Sequence, residues 1–311
     1  MSNIAFLFSG QGAQYVGMGK EIASQFKCSD IIYDKASEVL GFDVRKMIFE
    51  SNDETLKITE NTQPAILITS IACMQPLLEK DIRPKALAGL SLGEYSAHVA
   101  AGTMNFEDAV SLVKKRGRFM QEAVPIGVGT MAAVLGLDKE SVLSSCKEAS
   151  EIGVVEPANF NCPGQIVIAG EVKAVERALE IAKYKGARRA MLLPVSAPFH
   201  CSMLKGAGEK LKEELDKINL SDIKIPVVTN VTSEYILDKS VVKDLLVKQV
   251  SSPVLFEDSI NRMINKGIDT FIEIGPGKVL CGFVKKINSE VKILNIEDIE
   301  SLNKTLQEVN Y

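Results

Sequence analysis

The sequence has 311 residues, of which 46% are hydrophobic and 24% are charged, and its formal net charge is −4. This composition excludes a disordered chain, and the mildly acidic balance gives no indication of a protein that binds nucleic acid or a membrane surface. The length exceeds that of a usual single core, so one large domain with a smaller one is expected.

The N-terminal residues lack the basic head and long apolar stretch of a secretory signal, and no apolar run approaches the ~18 residues of a membrane-spanning helix. Six scattered cysteines form no C-x-x-C pair, which favours a reducing compartment and no structural zinc. The two histidines have no carboxylate cluster beside them, so no metal site is predicted. We therefore expect a soluble cytoplasmic protein without a metal.

Short apolar runs that alternate with longer amphipathic stretches predict an α/β fold with a mainly parallel sheet. In chain order we expect a buried strand over 4–8 with a glycine-rich turn at 9–12, a buried helix over 61–79 with Pro64 in its first turn, a strand over 84–89, a helix over 94–101, a strand over 270–274 and a helix over 278–287. No element is assigned to the tail after residue 290.

The middle of the chain has a different order of elements. We expect strands over 129–137, 154–159, 165–169 and 189–195, with helices over 138–150, capped by Asp138, and 172–185. The order β-α-β-β-α-β is that of the ferredoxin-like arrangement. The sequence therefore predicts a larger α/β-hydrolase-like domain formed by residues 1–126 and 198–311, with an inserted ferredoxin-like subdomain over 127–197.

Gly89-Leu90-Ser91-Leu92-Gly93 matches the nucleophile-elbow pattern G-x-S-x-G. Such an elbow needs a strand that turns sharply into a helix, and glycines on both sides let the backbone make that turn. The predicted strand before Ser91 and the helix after it fit this context. A purely structural tight turn is the alternative.

A serine nucleophile needs a neighbouring base, and only two histidines exist. His98 lies two helical turns after Ser91, which places its ring roughly 10 Å from the hydroxyl, so we interpret it as a helix-face residue. His200 lies in a loop where the smaller domain returns the chain to the larger one, a favourable place for a general base. Cys201 follows no elbow and is not predicted to be a nucleophile.

Further blocks accompany the elbow and His200 in a fixed order: residues 8–14 (FSGQGAQ), the Glu94-Tyr95 that follows the elbow, Arg116-Gly117, residues 158–161 (ANFN), Ala197-Pro198-Phe199 directly before His200, Gln249-Val250 near Pro253, and residues 273–277 (EIGPG). Together they resemble the malonyl-CoA:acyl carrier protein transacylases over most of the chain. Leu90 departs from the pattern, since many members have histidine before the nucleophile.

The resemblance implies that Ser91 attacks a thioester while His200 takes its proton. It places the oxyanion between the main-chain N–H groups of Gln11 and Leu92, and it implies that the main-chain carbonyl of Gln249 orients the imidazole in place of an acid. From the residues alone, Gly10 and Gly12 beside Gln11 fit either an anion-binding nest or a plain loop.

The resemblance also implies a substrate pocket. Arg116 matches the position whose guanidinium binds the free carboxylate of malonate, a task for which its planar fork is suited. Phe199 matches the malonyl-selective form of the family, because relatives that accept methylmalonyl have a small residue there. Asn159 and Asn161 are assigned to substrate binding on the same basis.

The sequence therefore predicts an acyltransferase that passes malonyl from malonyl-CoA to acyl carrier protein for fatty acid synthesis, as a monomer with no cofactor and the carrier as a transient partner. A serine thioesterase or esterase with the same elbow is the alternative, and a non-catalytic docking subunit is a third. Because the carrier is acidic, docking requires a local basic patch. Two groups of candidates are Lys183, Lys185, Arg188 and Arg189, and Lys114, Lys115 and Arg118.

Overall fold

The computed structural model describes residues 2–195 and 197–309. Within them eleven strands form two sheets: β1 Ile4–Phe8, β2 Ala86–Gly89, β3 Gly129–Leu135, β4 Val155–Cys162, β5 Gln165–Glu171, β6 Arg189–Leu192, β7 Val227–Val228, β8 Tyr235–Ile236, β9 Val254–Leu255, β10 Thr270–Ile274 and β11 Lys292–Ile296.

The same residues contain fourteen α-helices: α1 Lys20–Gln25, α2 Lys27–Leu40, α3 Val44–Phe49, α4 Asp53–Lys57, α5 Thr59–Glu79, α6 Gly93–Ala100, α7 Phe106–Glu122, α8 Lys139–Ala149, α9 Val172–Tyr184, α10 Lys205–Asp216, α11 Val242–Val250, α12 Phe256–Asn265, α13 Val279–Ile287 and α14 Ile299–Val309. No helix in the described ranges has the length and apolar content needed to cross a bilayer.

The first sheet has the strand order β11-β10-β1-β2-β7-β8, and all of its pairs are parallel except β7 with β8. The predicted mainly parallel sheet is thus confirmed. All five residues of β1 are buried, because helices cover both faces of the sheet. Phe8 lies opposite Gly89 on β2 and Ile274 on β10, so the loops after these three strands meet at one edge.

The second sheet has the order β6-β3-β5-β4-β9. Its first four strands are antiparallel and follow the predicted order β-α-β-β-α-β, and Asp138 caps α8 through the N–H of Ser141. One face packs on α8 and α9, and the opposite face, which includes Met131 and Val167, joins the core of the first sheet. The fifth strand, β9, comes from later in the chain and pairs parallel with β4.

Helix α5 begins earlier than the sequence indicated. It starts at Thr59, so the prediction that Pro64 lies in its first turn was wrong. The N–H groups of Asn61 and Thr62 both donate to the carbonyl of Ile58, which closes a helical turn before the proline. Pro64 lies in the second turn, and Gln63 beside it is almost wholly buried.

Candidate active site

Ser91 lies in a sharp turn between β2 and α6, as the nucleophile-elbow pattern predicts. Its φ is 52°, in the left-handed region that non-glycine residues rarely adopt. A Cβ on Gly93 would lie 2.1 Å from the carbonyl oxygen of Phe8, and one on Gly89 would lie 2.0 Å from the main-chain carbon of Gly93. Only glycine fits at both positions, so the pattern is required by the packing of this turn.

The glycine-rich turn after β1 lies beside the elbow. The N–H of Leu90 donates to the carbonyl of Phe8 at 3.1 Å, which holds the two turns together at the edge of the sheet. The main-chain N–H groups of Gln11 and Leu92 donate no hydrogen bond to any residue that the structure describes. Two free amides on adjacent turns can stabilise an anion that develops beside Ser91.

His200 contacts Ser91 directly. Its Nε2 lies 2.6 Å from the Ser91 Oγ, and its Nδ1 lies 2.8 Å from the main-chain oxygen of Gln249. A carbonyl oxygen can only accept, so Nδ1 carries the hydrogen and Nε2 is left to accept the serine proton. Burial, and secondly the charge of Arg116, lower the pKa of His200 to about 4. The imidazole is therefore neutral at physiological pH.

The loop that carries His200 is fixed on both sides. His200 itself has a left-handed φ of 61°. Two residues later, the N–H and hydroxyl of Ser202 donate to the two carboxylate oxygens of Glu156 on β4, at 2.7 and 2.6 Å. Phe199 is buried beside the histidine. The Cys201 thiol donates to the carbonyl of Pro198, and burial raises its pKa to about 12, so the thiol is protonated.

Arg116 on α7 also contacts Ser91. Its side chain is 1% exposed, and its guanidinium donates to Gln63 at 2.8 Å, to the Gln249 side chain at 3.0 Å and to the Ser91 Oγ at 3.1 Å. It also lies over the ring of Tyr95, 5.1 Å from the centroid. Among the described residues, Arg116 forms no ion pair and its Nε has no hydrogen-bond partner. Burying an unpaired cation is costly, so a buried arginine beside a nucleophile favours an anionic ligand.

Several residues of this site were not predicted to have a role. Gln63, Glu94 and Asn230 surround the elbow, and the Asn230 side chain accepts from the Ser91 N–H at 2.7 Å and donates to the Gly89 carbonyl at 2.7 Å. The Gln249 side chain also takes part, since its Nε2 donates to Glu94 at 2.6 Å and to the Ser91 carbonyl at 3.0 Å. In the sequence Glu94 has significance only as part of the motif that follows the elbow, and no local pattern marks Asn230.

Comparison with known proteins agrees with this geometry. Residues 5–306 match the family model described as an acyl transferase domain. The chain is 50% identical over 308 residues to the malonyl CoA-acyl carrier protein transacylase of Bacillus subtilis strain 168, covering 99% of this chain and 97% of that protein. The chain belongs to the acyl transferase family.

Solved structures of relatives have the same mixed α/β fold with two sheets. The malonyl CoA-acyl carrier protein transacylase of Clostridium perfringens is 51% identical with a TM-score of 0.97, over 99% of this chain and 98% of that one. A structure described as a type II PKS acyl-carrier protein in complex with its malonyl-transacylase is 40% identical with a TM-score of 0.96, over 99% of this chain and 100% of that one.

A second buried carboxylate supports the glycine-rich turn of this acyl transferase. Glu273 on β10 is 1% exposed, and it accepts from the Cys281 N–H at 2.7 Å and from the Ser9 hydroxyl at 3.4 Å. Burial raises its pKa to about 7. Because Ser9 precedes Gln11 by two residues, Glu273 anchors the turn that carries one of the free amides.

Two predicted substrate contacts are not joined to the site. Asn159 and Asn161 are buried on β4, but no hydrogen bond among the described residues links either to Ser91, His200 or Arg116. The Asn161 Oδ1 has no described partner.

His98, predicted to lie on a helix face, is 1% exposed, and neither of its ring nitrogens is bonded to a described residue.

Several of the candidate docking cations are paired within the acyl transferase itself. Lys115 bonds to Glu214 at 2.7 Å and Lys185 to Glu148 at 2.5 Å, while Lys114 lies 3.4 Å from Glu60.

The part of the chain that the structure describes holds no group of three or more metal-ligating side chains. The site contains a serine, a neutral imidazole, two main-chain amides that donate to no described residue, and a guanidinium without an ion-pair partner among the described residues. This set is suited to acyl transfer through serine.

Proposed function

We propose that this acyl transferase carries a malonyl group on Ser91 and passes it from malonyl-CoA to the phosphopantetheine thiol of acyl carrier protein. The observation that carries this proposal is the buried guanidinium of Arg116, which has no ion-pair partner among the described residues and lies 3.1 Å from the Ser91 Oγ. An acyl group that ends in a carboxylate supplies the missing counter-charge while its thioester carbon lies near the hydroxyl. The names of the relatives, which act on malonyl-CoA and acyl carrier protein, support the same substrate pair.

The first half-reaction forms the ester. The Ser91 oxygen attacks the thioester carbon while Nε2 of His200 takes the hydroxyl proton. The negative charge that develops on the carbonyl oxygen is stabilised by the free N–H groups of Gln11 and Leu92, and removing one such donor typically costs about 10²–10³ in rate. When the carbon–sulfur bond breaks, the coenzyme A sulfur leaves and His200 returns the proton to it.

The second half-reaction reverses these steps with a different thiol. His200 takes the proton of the carrier thiol, the sulfur attacks the malonyl ester, and the carbon–oxygen bond to Ser91 breaks. The serine oxygen recovers the proton from His200. The Gln249 carbonyl holds the imidazole in one tautomer through both halves. The scheme uses no cofactor, because the coenzyme A thioester is a substrate and the carrier thiol is the acceptor.

Selectivity for malonyl has two sources in this proposal. Arg116 favours an acyl group with a carboxylate, because an acetyl group would leave the buried cation unpaired. Phe199, buried beside His200, limits the space for a branched acyl group. One methyl group is worth only about 1–3 kcal/mol of discrimination, so Phe199 gives a preference. Asn159 and Asn161 remain candidates for contacts to parts of the substrate farther from the serine.

We further infer the domain organisation and assembly. Residues 1–126 and 198–311 form an α/β-hydrolase-like domain, and residues 127–197 a ferredoxin-like subdomain whose strand order β6-β3-β5-β4 supports that name. The pairing of β9 with β4 ties the two together. The enzyme is proposed to act as a cytoplasmic monomer that meets the carrier transiently and supplies fatty acid synthesis.

The test is the intact mass of the protein after brief mixing with malonyl-CoA, without and then with carrier protein. We expect a gain of one malonyl unit, absent in Ser91→Ala, that is discharged onto the carrier thiol. If free malonate and coenzyme A accumulate at a rate indifferent to the carrier, the protein is a thioesterase. If there is neither an adduct nor turnover, it is a non-catalytic docking subunit.

A further inference from the structure

We propose that Glu94 is a positioning residue that fixes the side-chain amide of Gln249, and that through this amide it holds Arg116 and Ser91 in the arrangement that selects an acidic acyl group. The proposal rests on the proposed function, since it concerns the choice between malonyl and uncharged acyl groups. It starts from a contact that the acyl-transfer scheme does not use, the 2.6 Å hydrogen bond from the Gln249 Nε2 to the Glu94 carboxylate.

The Gln249 amide lies between a cation and an anion. Its oxygen accepts from the Arg116 guanidinium at 3.0 Å, and its nitrogen donates to Glu94 and to the Ser91 carbonyl. A flipped amide would present its NH2 group to the guanidinium and its oxygen to the carboxylate, both of which are repulsive. The charge on Glu94 therefore specifies the orientation of this amide, as charge-assisted hydrogen bonds do elsewhere.

Glu94 reaches the elbow by a second route. The same carboxylate oxygen accepts from the main-chain N–H of Asn230 at 3.1 Å, and the Asn230 side chain binds the N–H of Ser91. One buried carboxylate thus holds both the residue that supports the serine main chain and the residue that supports the guanidinium. Its other oxygen, Oε1, has no partner among the described residues. The hydrogen bonds that hold the carboxylate therefore come from Gln249 and Asn230, the two residues that it positions.

The ionisation of Glu94 gives this arrangement a distinct signature. Glu94 is fully buried, and burial raises its pKa to about 7, opposed by the hydrogen bond from Gln249, that from Asn230 and the charge of Arg116. Of the other titratable groups around the elbow, His200 and His98 have pKa values of about 4 and Tyr95 on α6 has a pKa of about 12, while burial lowers the pKa of Arg116 from its ordinary value. Glu273, which contacts the neighbouring glycine-rich turn, also has a pKa of about 7 and therefore has to be tested separately.

The test compares Glu94→Gln with Glu273→Gln. Both replace a buried carboxylate whose pKa lies near 7, but Glu273 contacts the turn before Gln11 and not Gln249. In each protein, and in the wild type, kcat/KM for loading Ser91 is measured with malonyl-CoA and with acetyl-CoA across the pH range around 7. Thermal unfolding reports whether each variant is folded, and Ser91→Ala defines the background.

We expect Glu94→Gln to lower the malonyl-to-acetyl ratio by about 10-fold or more, the scale of one hydrogen bond to a charged group. In the wild type the ratio should rise as pH increases through about 7, because ionised Glu94 holds the amide, and Glu94→Gln should lack this rise. Glu273→Gln should slow both acyl groups alike and keep the rise.

An unchanged ratio in folded Glu94→Gln overturns the proposal, and so does an equal loss for both acyl groups, which would mark a purely structural role. Loading of wild-type Ser91 by malonyl-CoA is the separate check on the proposed function. A wild type that loads malonyl normally, beside a Glu94→Gln variant with unaltered selectivity, would leave that function standing while the role of Glu94 is lost.

Discussion

The main-chain carbonyl of Gln249 accepts a hydrogen bond from the Nδ1 of His200 at 2.8 Å, in the place where serine triads usually have a carboxylate. A neutral carbonyl fixes the tautomer as an acid would, but it gives less stabilisation to the charged imidazolium. Burial, and secondly the charge of Arg116, lower the pKa of His200 to about 4, and the hydrogen bond to the Gln249 carbonyl offsets this only in part. The base is weak, but it is in its active, neutral form over the whole physiological range.

With acetyl-CoA as the donor, whose loading does not depend on the proposed role of Glu94, the acid limb of kcat/KM for loading Ser91 should therefore be centred near pH 4. A general base works only when unprotonated, so activity is lost as pH falls through the pKa of His200 in the free enzyme. The measurement is a pH profile of single-turnover loading, with circular dichroism at each pH to show that the protein stays folded. A limb centred at about 6.5, the pKa of an exposed histidine, would contradict this assignment.

Arg116→Lys should lower kcat/KM for malonyl loading by about 10- to 100-fold. Lysine keeps the charge, but a single ammonium cannot reproduce the fork that binds Gln63, Gln249 and Ser91 together. Acetyl loading should change less, because an acetyl group has no carboxylate to bind. Rates measured with both donors test this, and an unaltered malonyl-to-acetyl ratio would show that the guanidinium does not bind the acyl carboxylate.

Gly93→Ala should unfold or severely destabilise the protein, although alanine is the better helix former. Its Cβ would lie 2.1 Å from the carbonyl oxygen of Phe8 on a neighbouring strand. Gly282→Ala on α13 is the matched control, since a Cβ there meets no atom within 4 Å, and it should stabilise by about 0.5–1 kcal/mol. Thermal unfolding of both variants is the measurement. Equal effects would mean that the elbow can relax around a side chain.

His98→Leu should become more stable relative to the wild type as the pH falls. Burial lowers the pKa of His98 from 6.5 to about 4 in the folded state. The folded protein therefore has its full stability above pH 6.5, and it loses stability as the pH falls toward 4, because the unfolded chain binds a proton that the buried imidazole does not. Between pH 7 and pH 5 the difference in unfolding free energy should shift toward the variant by about 2 kcal/mol. Urea unfolding at both pH values measures it, and a constant difference would indicate a charged or solvated imidazole.

Phe199→Ala should raise the rate with methylmalonyl-CoA relative to malonyl-CoA by about 10-fold, the lower end of what one methyl group contributes. Phe199 is buried and directly precedes His200, so under the proposed function the removal of its ring makes room for a branched acyl group. The competition between the two donors is best read from the masses of the acyl-enzyme. An unchanged ratio of methylmalonyl to malonyl loading would show that Phe199 packs against the protein and not against the acyl chain.

The parts of the site that sequence predicts are those with a local signature. The elbow at Ser91 follows from a strand, a helix and two glycines within a few residues. His200 follows from the scarcity of histidine and from the family resemblance. The contribution of the Gln249 main chain has no side-chain signature at all, because every residue has a carbonyl, and only the resemblance indicated it.

The parts that sequence reasoning missed depend on contacts distant in the chain. Asn230 supports a serine 139 positions earlier, and nothing near it marks that role. The strand Lys292–Ile296 and the helix Ile299–Val309 were missed in the C-terminal tail, because an edge strand that begins with an exposed lysine lacks a continuous apolar pattern. Packing against β10 gives that segment its structure.

Ser91 and His200 share the left-handed backbone conformation, with φ values of 52° and 61°. For any residue but glycine that conformation costs about 1–2 kcal/mol, so each residue is held in place against its own preference. A library of variants screened for thermal stability alone would therefore be enriched in glycine at position 91, and its most stable members would be inactive. In this chain, selection for stability and selection for turnover act in opposite directions on the nucleophile itself.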